Sequence, residues 1–178
     1  MNKLLIVIDM QNDFITGPLG SSQARRIVAA VKAKVEEYRQ NGAKIIFTRD
    51  THSSNYLSTQ EGKYLPITHC IEGTEGHSIA GELNTDGCII FDKPTFGSLE
   101  LAKQVAEGGF DELELCGLYT DICVVSNAII LKAQLPETKI SVDGHCCAGV
   151  TEESHKAALL TMKMCQVDVI NDEIRDAY

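Results

Sequence analysis

The chain has 178 residues, 44% of them hydrophobic, which suffices for one domain with a core of its own. Its formal net charge of -9 argues against nucleic acid or an anionic membrane surface as a partner, because both bind clustered basic side chains. No apolar run is long enough for a transmembrane helix, and the first residues lack the layout of a signal peptide. We therefore expect a single domain over residues 1–178.

The seven cysteines are dispersed, and their number is odd. In a secreted domain an odd count would leave one thiol unpaired. A reducing compartment with mostly buried thiols, the cytoplasm, is the simpler expectation. One of these thiols is then free to be reactive.

Short apolar runs alternate with helical periods along the chain. Residues 3–8 form a continuous apolar run, typical of a strand covered on both faces. Residues 22–40 carry apolar side chains at helical spacing, and Asn41-Gly42 ends that helix. The other predicted elements are strands at 43–48, 87–91, 113–118, 138–142 and 165–170, and helices at 98–107, 121–132 and from 151 onward. Such repeated units predict a three-layer α/β fold with a mostly parallel six-stranded sheet.

The stretch from about residue 50 to 84 interrupts this rhythm. It has no clean period and is rich in Gly, Thr, Ser, Asn and His. Loops of this length in compact domains are usually functional or disordered. Since this one follows the carboxyl end of a strand, it lies where open α/β sheets bind ligands.

Three polar residues, Asp9, Lys93 and Cys123, lie just beyond predicted strands. Each alone has an ordinary structural explanation, as a turn residue, a solvated charge and a small buried group. Because the carboxyl ends of parallel strands meet at one edge of a sheet, the three can converge there. At a helix start, free N–H groups together with Lys93 would lower the pKa of the Cys123 thiol, and Asp9 could shuttle protons.

Three segments carry a resemblance to a known family. DMQNDF at 9–14 resembles the DxQxDF opening of isochorismatase-like cysteine hydrolases, and GLYTDICV at 117–124 resembles their nucleophile segment. KPTFGS at 93–98 is similar to their lysine segment, with Gly97-Ser98 in place of Ser-Ala. The order and approximate spacing are those of the family across essentially the whole chain. The resemblance implies an Asp9–Lys93–Cys123 triad, a cis peptide between Leu118 and Tyr119, and an oxyanion site formed by the N–H groups of Tyr119 and Cys123.

Within this family the chain most resembles the nicotinamidase and pyrazinamidase branch. DTH at 50–52 and PITHCIEGTEG at 66–76 resemble its metal-binding segments, although D-x-H alone is a weak signal. The resemblance implies Asp50, His52 and His69 as ligands, with Glu61 at the variable fourth position. Two imidazoles and two carboxylates suit Zn²⁺, and also Mn²⁺ or Fe²⁺ if waters complete the coordination. No organic cofactor is expected.

The resemblance also implies the substrate pocket and the reaction. Phe14 and Phe96 match positions that line the pocket, and Leu19 is expected beside them. Many nicotinamidases have a Trp shortly before the third ligand, whereas this chain has none and carries Leu65 and Pro66 there. The implied reaction is hydrolysis of nicotinamide to nicotinate and ammonia through a Cys123 thioester. A homo-oligomer, dimer or tetramer, is implied by resemblance alone.

Two alternative functions stay open at this point. The first is another small-amide or ureido hydrolase of the same family, and the second is a non-catalytic metal-binding or regulatory relative. A dinucleotide-binding function is disfavoured because no G-x-G-x-x-G follows the first strand. DGHCCAG at 143–149 is interpreted as a turn that supports the active-site edge, Cys70 as structural, and His77 and His155 as surface residues.

Overall fold

The computed structural model describes residues 2–172. Its strands are β1 (Lys3–Ile8), β2 (Lys44–Asp50), β3 (Ile89–Lys93), β4 (Glu112–Leu118), β5 (Lys139–Ala148) and β6 (Asp168–Ile170). Its helices are α1 (Asn12–Ile15), α2 (Ser22–Gln40), α3 (Gln60–Tyr64), α4 (Leu99–Glu107), α5 (Val125–Gln134) and α6 (Glu152–Met164). A 3₁₀ turn covers Tyr56–Ser58, and a π-helix covers Thr120–Val124.

The six strands form one sheet in the order β3-β2-β1-β4-β5-β6, and every pair is parallel. The chain builds outward from β1 through β2 to β3, and then continues with β4 on the other side of β1. The carboxyl ends of β1 and β4 therefore flank a topological switch point, where α/β sheets form ligand crevices. The predicted α/β fold with a six-stranded sheet is confirmed.

The core forms around β1, whose residues from Leu4 to Ile8 are all fully buried. Such a strand needs no polar face because helices cover the sheet on both sides. The predicted first helix is confirmed as α2, which begins at an N-cap where Ser21 accepts a hydrogen bond from Ala24 N. The helix predicted from residue 151 onward is α6, and it begins with a capping box in which the Thr151 and Ser154 side chains bond reciprocally to backbone N–H groups. None of the helices within residues 2–172 is both long and apolar enough to cross a membrane.

Several element bounds differ from the prediction. The predicted turn at 143–149 is wrong, since β5 runs on to Ala148 after an irregularity and pairs again with β4 at Gly117 and Leu118. The strand predicted at 165–170 begins only at Asp168. The long loop contains α3, and the short helix α1 was not predicted. The helices α1 and α3 have too few residues to show a period of their own.

Gly117 lies where β4 meets β1 at the carboxyl edge. Its φ of 118° belongs to the region that favours glycine, and a Cβ there would lie 2.1 Å from the Ile8 carbonyl oxygen. The glycine thus allows β4 to turn toward the nucleophile segment while it remains paired with β1. The peptide bond between Leu118 and Tyr119 is cis, as the family resemblance implied.

Candidate active site

The structure brings Asp9, Lys93 and Cys123 together at the carboxyl edge of the sheet. Lys93 Nζ lies 2.6 Å from Asp9 Oδ2 and 3.6 Å from Cys123 Sγ. Asp9 and Lys93 are fully buried, and Cys123 is 4% exposed. Asp9 follows β1, Lys93 ends β3 and Cys123 lies in the π-helix after β4, so three strands hold the group.

Burial and mutual charge set the protonation of this group. Burial raises the pKa of Asp9, although the Lys93 ammonium and the Thr48 hydroxyl oppose that change. Burial alone would lower the pKa of Lys93, but the Asp9 carboxylate, the Cys123 sulfur and the Asp50 carboxylate raise it overall. Lys93 is therefore a permanent cation, whereas Asp9 is a stronger base than an exposed aspartate.

The prediction of a lowered Cys123 pKa is wrong. Burial raises the pKa of this thiol well above its ordinary value, and the carboxylates of Asp9 and Asp50 add to the effect against the single opposing charge of Lys93. The sequence argument counted Lys93 and the helix start but not the burial or the second carboxylate. The resting group is thus a neutral thiol beside a base, and it needs proton transfer to become a nucleophile.

The four predicted metal ligands also converge. Asp50, His52, Glu61 and His69 can each direct one ligand atom so that all four atoms lie within 4.8 Å of one another. Asp50 Oδ2 lies 2.9 Å from His52 Nε2 and 3.6 Å from His69 Nε2. Glu61 Oε1 lies 3.6 Å from His52 Nε2 and 3.7 Å from His69 Nε2.

These separations fit one divalent metal ion. Four ligands at bond lengths of about 2.1 Å around a tetrahedral ion lie roughly 3.4 Å apart, close to the spacing found here. His69 Nδ1 lies 2.8 Å from the Ile67 carbonyl, to which it can donate, leaving Nε2 to face the other ligands. Asp50 Oδ1 is buried without a hydrogen-bond partner among the described residues, with Lys93 Nζ 3.6 Å away.

Residues that the sequence analysis did not single out hold the ligand loop in place. The Gln11 side chain donates to the carbonyls of Asp50 and His77, both at 2.9 Å, and accepts from Asp50 N. Asp13 accepts from Cys70 N at 2.7 Å, directly after His69. Both belong to the DMQNDF segment, so their positions in that motif were the available signal.

Tyr56 and Thr48 are two further residues that were missed. The buried Tyr56 ring lies 4.6 Å from the His52 ring and 4.9 Å from the His69 ring, centroid to centroid. The Thr48 hydroxyl donates to Asp9 Oδ1 at 2.6 Å and accepts from Asp9 N. A Tyr in a loop and a Thr in a strand give no sequence signal for such roles.

The two histidines interpreted as surface residues are also placed differently by the structure. His77 is buried, and its Nε2 lies 2.9 Å from the Thr51 hydroxyl. His155 is half-buried, and its Nδ1 lies 2.8 Å from the hydroxyl of Thr120. Each histidine supports a loop beside the site: His77 beside the ligand segment, and His155 beside the nucleophile segment.

Cys123 and three of the four predicted ligands line one cavity of about 370 Å³. Among its polar walls are Asp50, Glu61 and His69. Its apolar walls are Phe14, Leu19, Leu65, Phe96, Ile122 and Val150. The three predicted substrate residues thus all line it, and Leu65 lines it beside them.

A model of the isochorismatase domain family matches residues 3–173. The chain belongs to the isochorismatase family. The family predicted from the three motifs is therefore confirmed, and with it the expectation that the protein is a hydrolase.

Individual members of the isochorismatase family resemble this chain along most of its length. A nicotinamidase/pyrazinamidase of Mycobacterium tuberculosis is 24% identical, over 94% of this chain and 98% of its own length. The structure of a pyrazinamidase of Pyrococcus horikoshii in complex with zinc superposes with a TM-score of 0.85 at 26% identity, over 97% of this chain and 100% of its own. An N-carbamoylsarcosine amidase of Thermoplasma acidophilum shares the fold, with a TM-score of 0.80 at 23% identity over 98% and 99% of the two chains.

Proposed function

We propose that this protein is an amidohydrolase that cleaves a small uncharged primary amide through a Cys123 thioester. Nicotinamide is the expected substrate, and nicotinate and ammonia are the expected products. The observation that carries the proposal is that the Cys123 thiol and the ligands Asp50, Glu61 and His69 line the same cavity. The resemblance to a nicotinamidase/pyrazinamidase and to a zinc-bound pyrazinamidase supports the same reaction.

Acylation starts with proton transfer from Cys123 to Asp9. Burial raises the pKa of Asp9, which makes this carboxylate a competent base for the neighbouring thiol. The thiolate sulfur then forms a bond with the amide carbon, and the carbonyl oxygen becomes an oxyanion. Backbone N–H groups of Tyr119 and Cys123 are the proposed donors to that oxygen. The C–N bond breaks as Asp9 returns its proton to the nitrogen, and ammonia leaves.

Deacylation uses the same residues, and Asp9 again acts first as a base and then as an acid. Asp9 accepts a proton from water, the hydroxide adds to the thioester carbon, and the C–S bond breaks to release the carboxylic acid. The thiol of Cys123 is restored with the proton that Asp9 held. Throughout the cycle Lys93, at 2.6 Å from Asp9 and 3.6 Å from Cys123, stabilises whichever of the two groups is negative.

The divalent metal, for which Zn²⁺ is the first candidate, would be held by Asp50, His52, Glu61 and His69. When bound, it would supply a Lewis-acidic centre able to attract a ring nitrogen or a water molecule. The apolar residues Phe14 and Phe96 would contact the flat faces of the substrate, with Leu19 at its rim. A bound ring would thus be oriented with its amide group toward Cys123.

The charge of the cavity favours an uncharged amide over a carbamoylated amino acid. No Lys or Arg occurs among the described residues that line it, whereas the carboxylates of Asp50 and Glu61 do. A substrate carboxylate would be desolvated there without a Lys or Arg partner, and the charge of a bound dication would already be balanced by Asp50 and Glu61, so binding would cost free energy. The non-catalytic alternative is disfavoured because Asp9, Lys93 and Cys123 are all present and in contact.

Two further expectations belong to this proposal. A reducing compartment such as the cytoplasm would keep the Cys123 nucleophile as a thiol. A symmetric homo-oligomer, dimer or tetramer, stays a prediction from the family resemblance.

Ammonia release from nicotinamide tests the proposal. We expect activity in the metal-loaded enzyme, its loss after treatment with a chelator, and its return when Zn²⁺ is added. Cys123→Ala should lower kcat at least roughly 10³-fold because the covalent route is lost. Cys165→Ala is the matched control, because Cys165 is an exposed thiol and should leave kcat unchanged.

The possible negative results have different meanings. If the metal-loaded enzyme hydrolyses other small amides but not nicotinamide, the reaction class stands and the substrate is wrong. If Cys123→Ala keeps the wild-type rate, the thioester mechanism is wrong. If no amide in a panel is hydrolysed by metal-loaded enzyme, the proposed function fails.

A further inference from the structure

We propose that the side chain of Tyr119 is a positioning residue that sets the width of the substrate cavity. This role is additional to the N–H group of Tyr119 proposed for the oxyanion, and it rests on the proposed function. Tyr119 lies directly before the π-helix that carries Cys123. Its side chain extends from there to the opposite wall of the cavity.

The contacts of the Tyr119 hydroxyl define this arrangement. The hydroxyl lies 2.5 Å from the Leu19 carbonyl oxygen and 3.0 Å from the Phe14 carbonyl oxygen. One hydroxyl carries one proton, so the two carbonyls share a single donor. Tyr119 is 7% exposed, and its ring meets the Phe14 ring edge to face, with centroids 5.8 Å apart. Burial raises the pKa of Tyr119, so the hydroxyl stays a donor through the neutral range.

The Tyr119 hydroxyl is bonded to residues 14–21, which we call the wall segment. Phe14 and Leu19, its predicted substrate contacts, are the two residues whose carbonyls face the Tyr119 hydroxyl. Within this segment the backbone hydrogen bonds are local, such as Leu19 N to Asp13 O and Gly20 N to Gly17 O, and Arg25 of α2 donates to the Ile15 carbonyl. The long-range bonds of Asn12 N to Ser78 O and of Asp13 N to Gly76 O lie just before it and lead to the ligand loop, not to the nucleophile segment. Local bonds of this kind shape the wall segment but do not fix its distance from the thiol.

The ring of Tyr119 therefore acts as a spacer between the wall segment and the nucleophile. With the hydroxyl bonded, Phe14 and Leu19 are held at one distance from the turn that leads to Cys123. Without the hydroxyl, the ring would still fill its place, but the wall segment could move outward. A small amide would then be bound more loosely, whereas a bulkier amide would be admitted more easily.

Tyr119→Phe tests this inference, since it removes the hydroxyl and keeps the ring. Losing a buried hydrogen bond to the wall should raise KM for nicotinamide roughly tenfold, with kcat changed much less. The ratio of kcat/KM for a ring-substituted nicotinamide to that for nicotinamide should rise by a similar factor. Tyr38→Phe is the matched control, because its hydroxyl donates at 2.8 Å to Glu114, which is not among the cavity-lining residues.

A merely structural role would give a different result. Tyr119→Phe would then lower the melting temperature, as Tyr38→Phe should, and leave KM and the substrate ratio at wild-type values. That outcome overturns the inference.

Alkylation of Cys123 separates this inference from the proposed function, because it requires no amide hydrolysis. The rates with N-methylmaleimide and N-phenylmaleimide are measured at one pH, and the labelled Cys123 peptide is quantified by mass spectrometry. Tyr119→Phe should raise the phenyl-to-methyl ratio several-fold, and Tyr38→Phe should not. If the wild type hydrolyses no amide, the proposed function fails while this ratio still decides the role of Tyr119. An unchanged ratio overturns it.

Discussion

The triad and the metal-ligand group lie side by side but are built in different ways. Asp9, Lys93 and Cys123 lie at or just after the ends of three sheet strands, and all are essentially buried. Of the ligands, Asp50 alone ends a strand; His52, Glu61 and His69 are carried by the loop that follows. The sheet itself positions the triad, whereas the ligand group depends on side chains that tether a loop.

Those tethers come mainly from one short segment. Gln11 and Asp13 hold the backbone beside Asp50 and His69, and the Tyr56 ring packs against both imidazole rings. The comparison teaches that the two halves of the site can fail separately. Damage to the sheet should unfold the protein, and damage to the loop should abolish the proposed metal site in a folded protein.

The largest effect is expected for the triad half of the site, which the sheet positions. Gly117→Ala would place a Cβ 2.1 Å from the Ile8 carbonyl oxygen at a φ of 118°. We expect the free energy of unfolding to fall by about 4 kcal/mol, measured by urea denaturation. Gly81→Ala is the control, since nothing lies within 4 Å of its added Cβ. If both variants lost the same small amount of unfolding free energy, the close contact of β1 and β4 would not be needed for the fold that positions the triad.

The next largest effect is expected for the metal-ligand half of the site, which the loop carries. His69→Ala should weaken Zn²⁺ binding about 100-fold or more, because one of four ligands is lost, while the fold is kept. Zinc content after dialysis and the circular dichroism spectrum measure the two quantities. His145→Ala removes an exposed histidine and should retain zinc. A His69→Ala protein that keeps full zinc would remove His69 from the ligand group.

The smallest expected effect concerns protonation inside the triad. Thr48→Val removes the hydrogen bond that lowers the pKa of Asp9, so this pKa rises further above its ordinary value. Since the base form is lost as pH falls through that pKa, the acidic limb of the kcat/KM profile should move to higher pH. We expect roughly a tenfold loss on that limb and little change on the alkaline side.

Thr161→Val is the matched control for this change. Thr161 is an exposed residue of α6, and its hydroxyl donates to the Ala157 carbonyl. Its pH profile should coincide with that of the wild type. If the acidic limb of Thr48→Val also stayed in place, Asp9 would not be the base that limits the rate.

The difference between the two halves also explains what the sequence could predict. The alternation of apolar runs predicts the sheet, and strand ends predict that Asp9, Lys93 and Cys123 converge. The position of Glu61 has no such rule, because α3 is a short helix inside a loop. Its place as a ligand came from resemblance alone, and the structure puts its carboxylate 3.6 Å from His52.

Other features could not be predicted because they depend on the completed packing. The Cys123 pKa was expected to fall, yet burial raises it, and burial is a property of the whole fold. Likewise, the continuation of β5 to Ala148 depends on its renewed pairing with β4. Tyr119 was singled out for its backbone, whereas the contacts of its hydroxyl with Phe14 and Leu19 arise only when β1 and β4 are neighbours.

Because Lys93 lies close to both Asp9 and Asp50, the net charge of the groups around the cavity can be counted. With all groups ionised, the carboxylates of Asp9, Asp50 and Glu61 exceed the Lys93 ammonium by two negative charges. A dication would balance them, and a monovalent ion would not. A neutral amide could then enter a neutral cavity without repulsion, whereas the carboxylic acid that hydrolysis forms would become negatively charged when it ionises. The product's own charge would thus favour its departure to water.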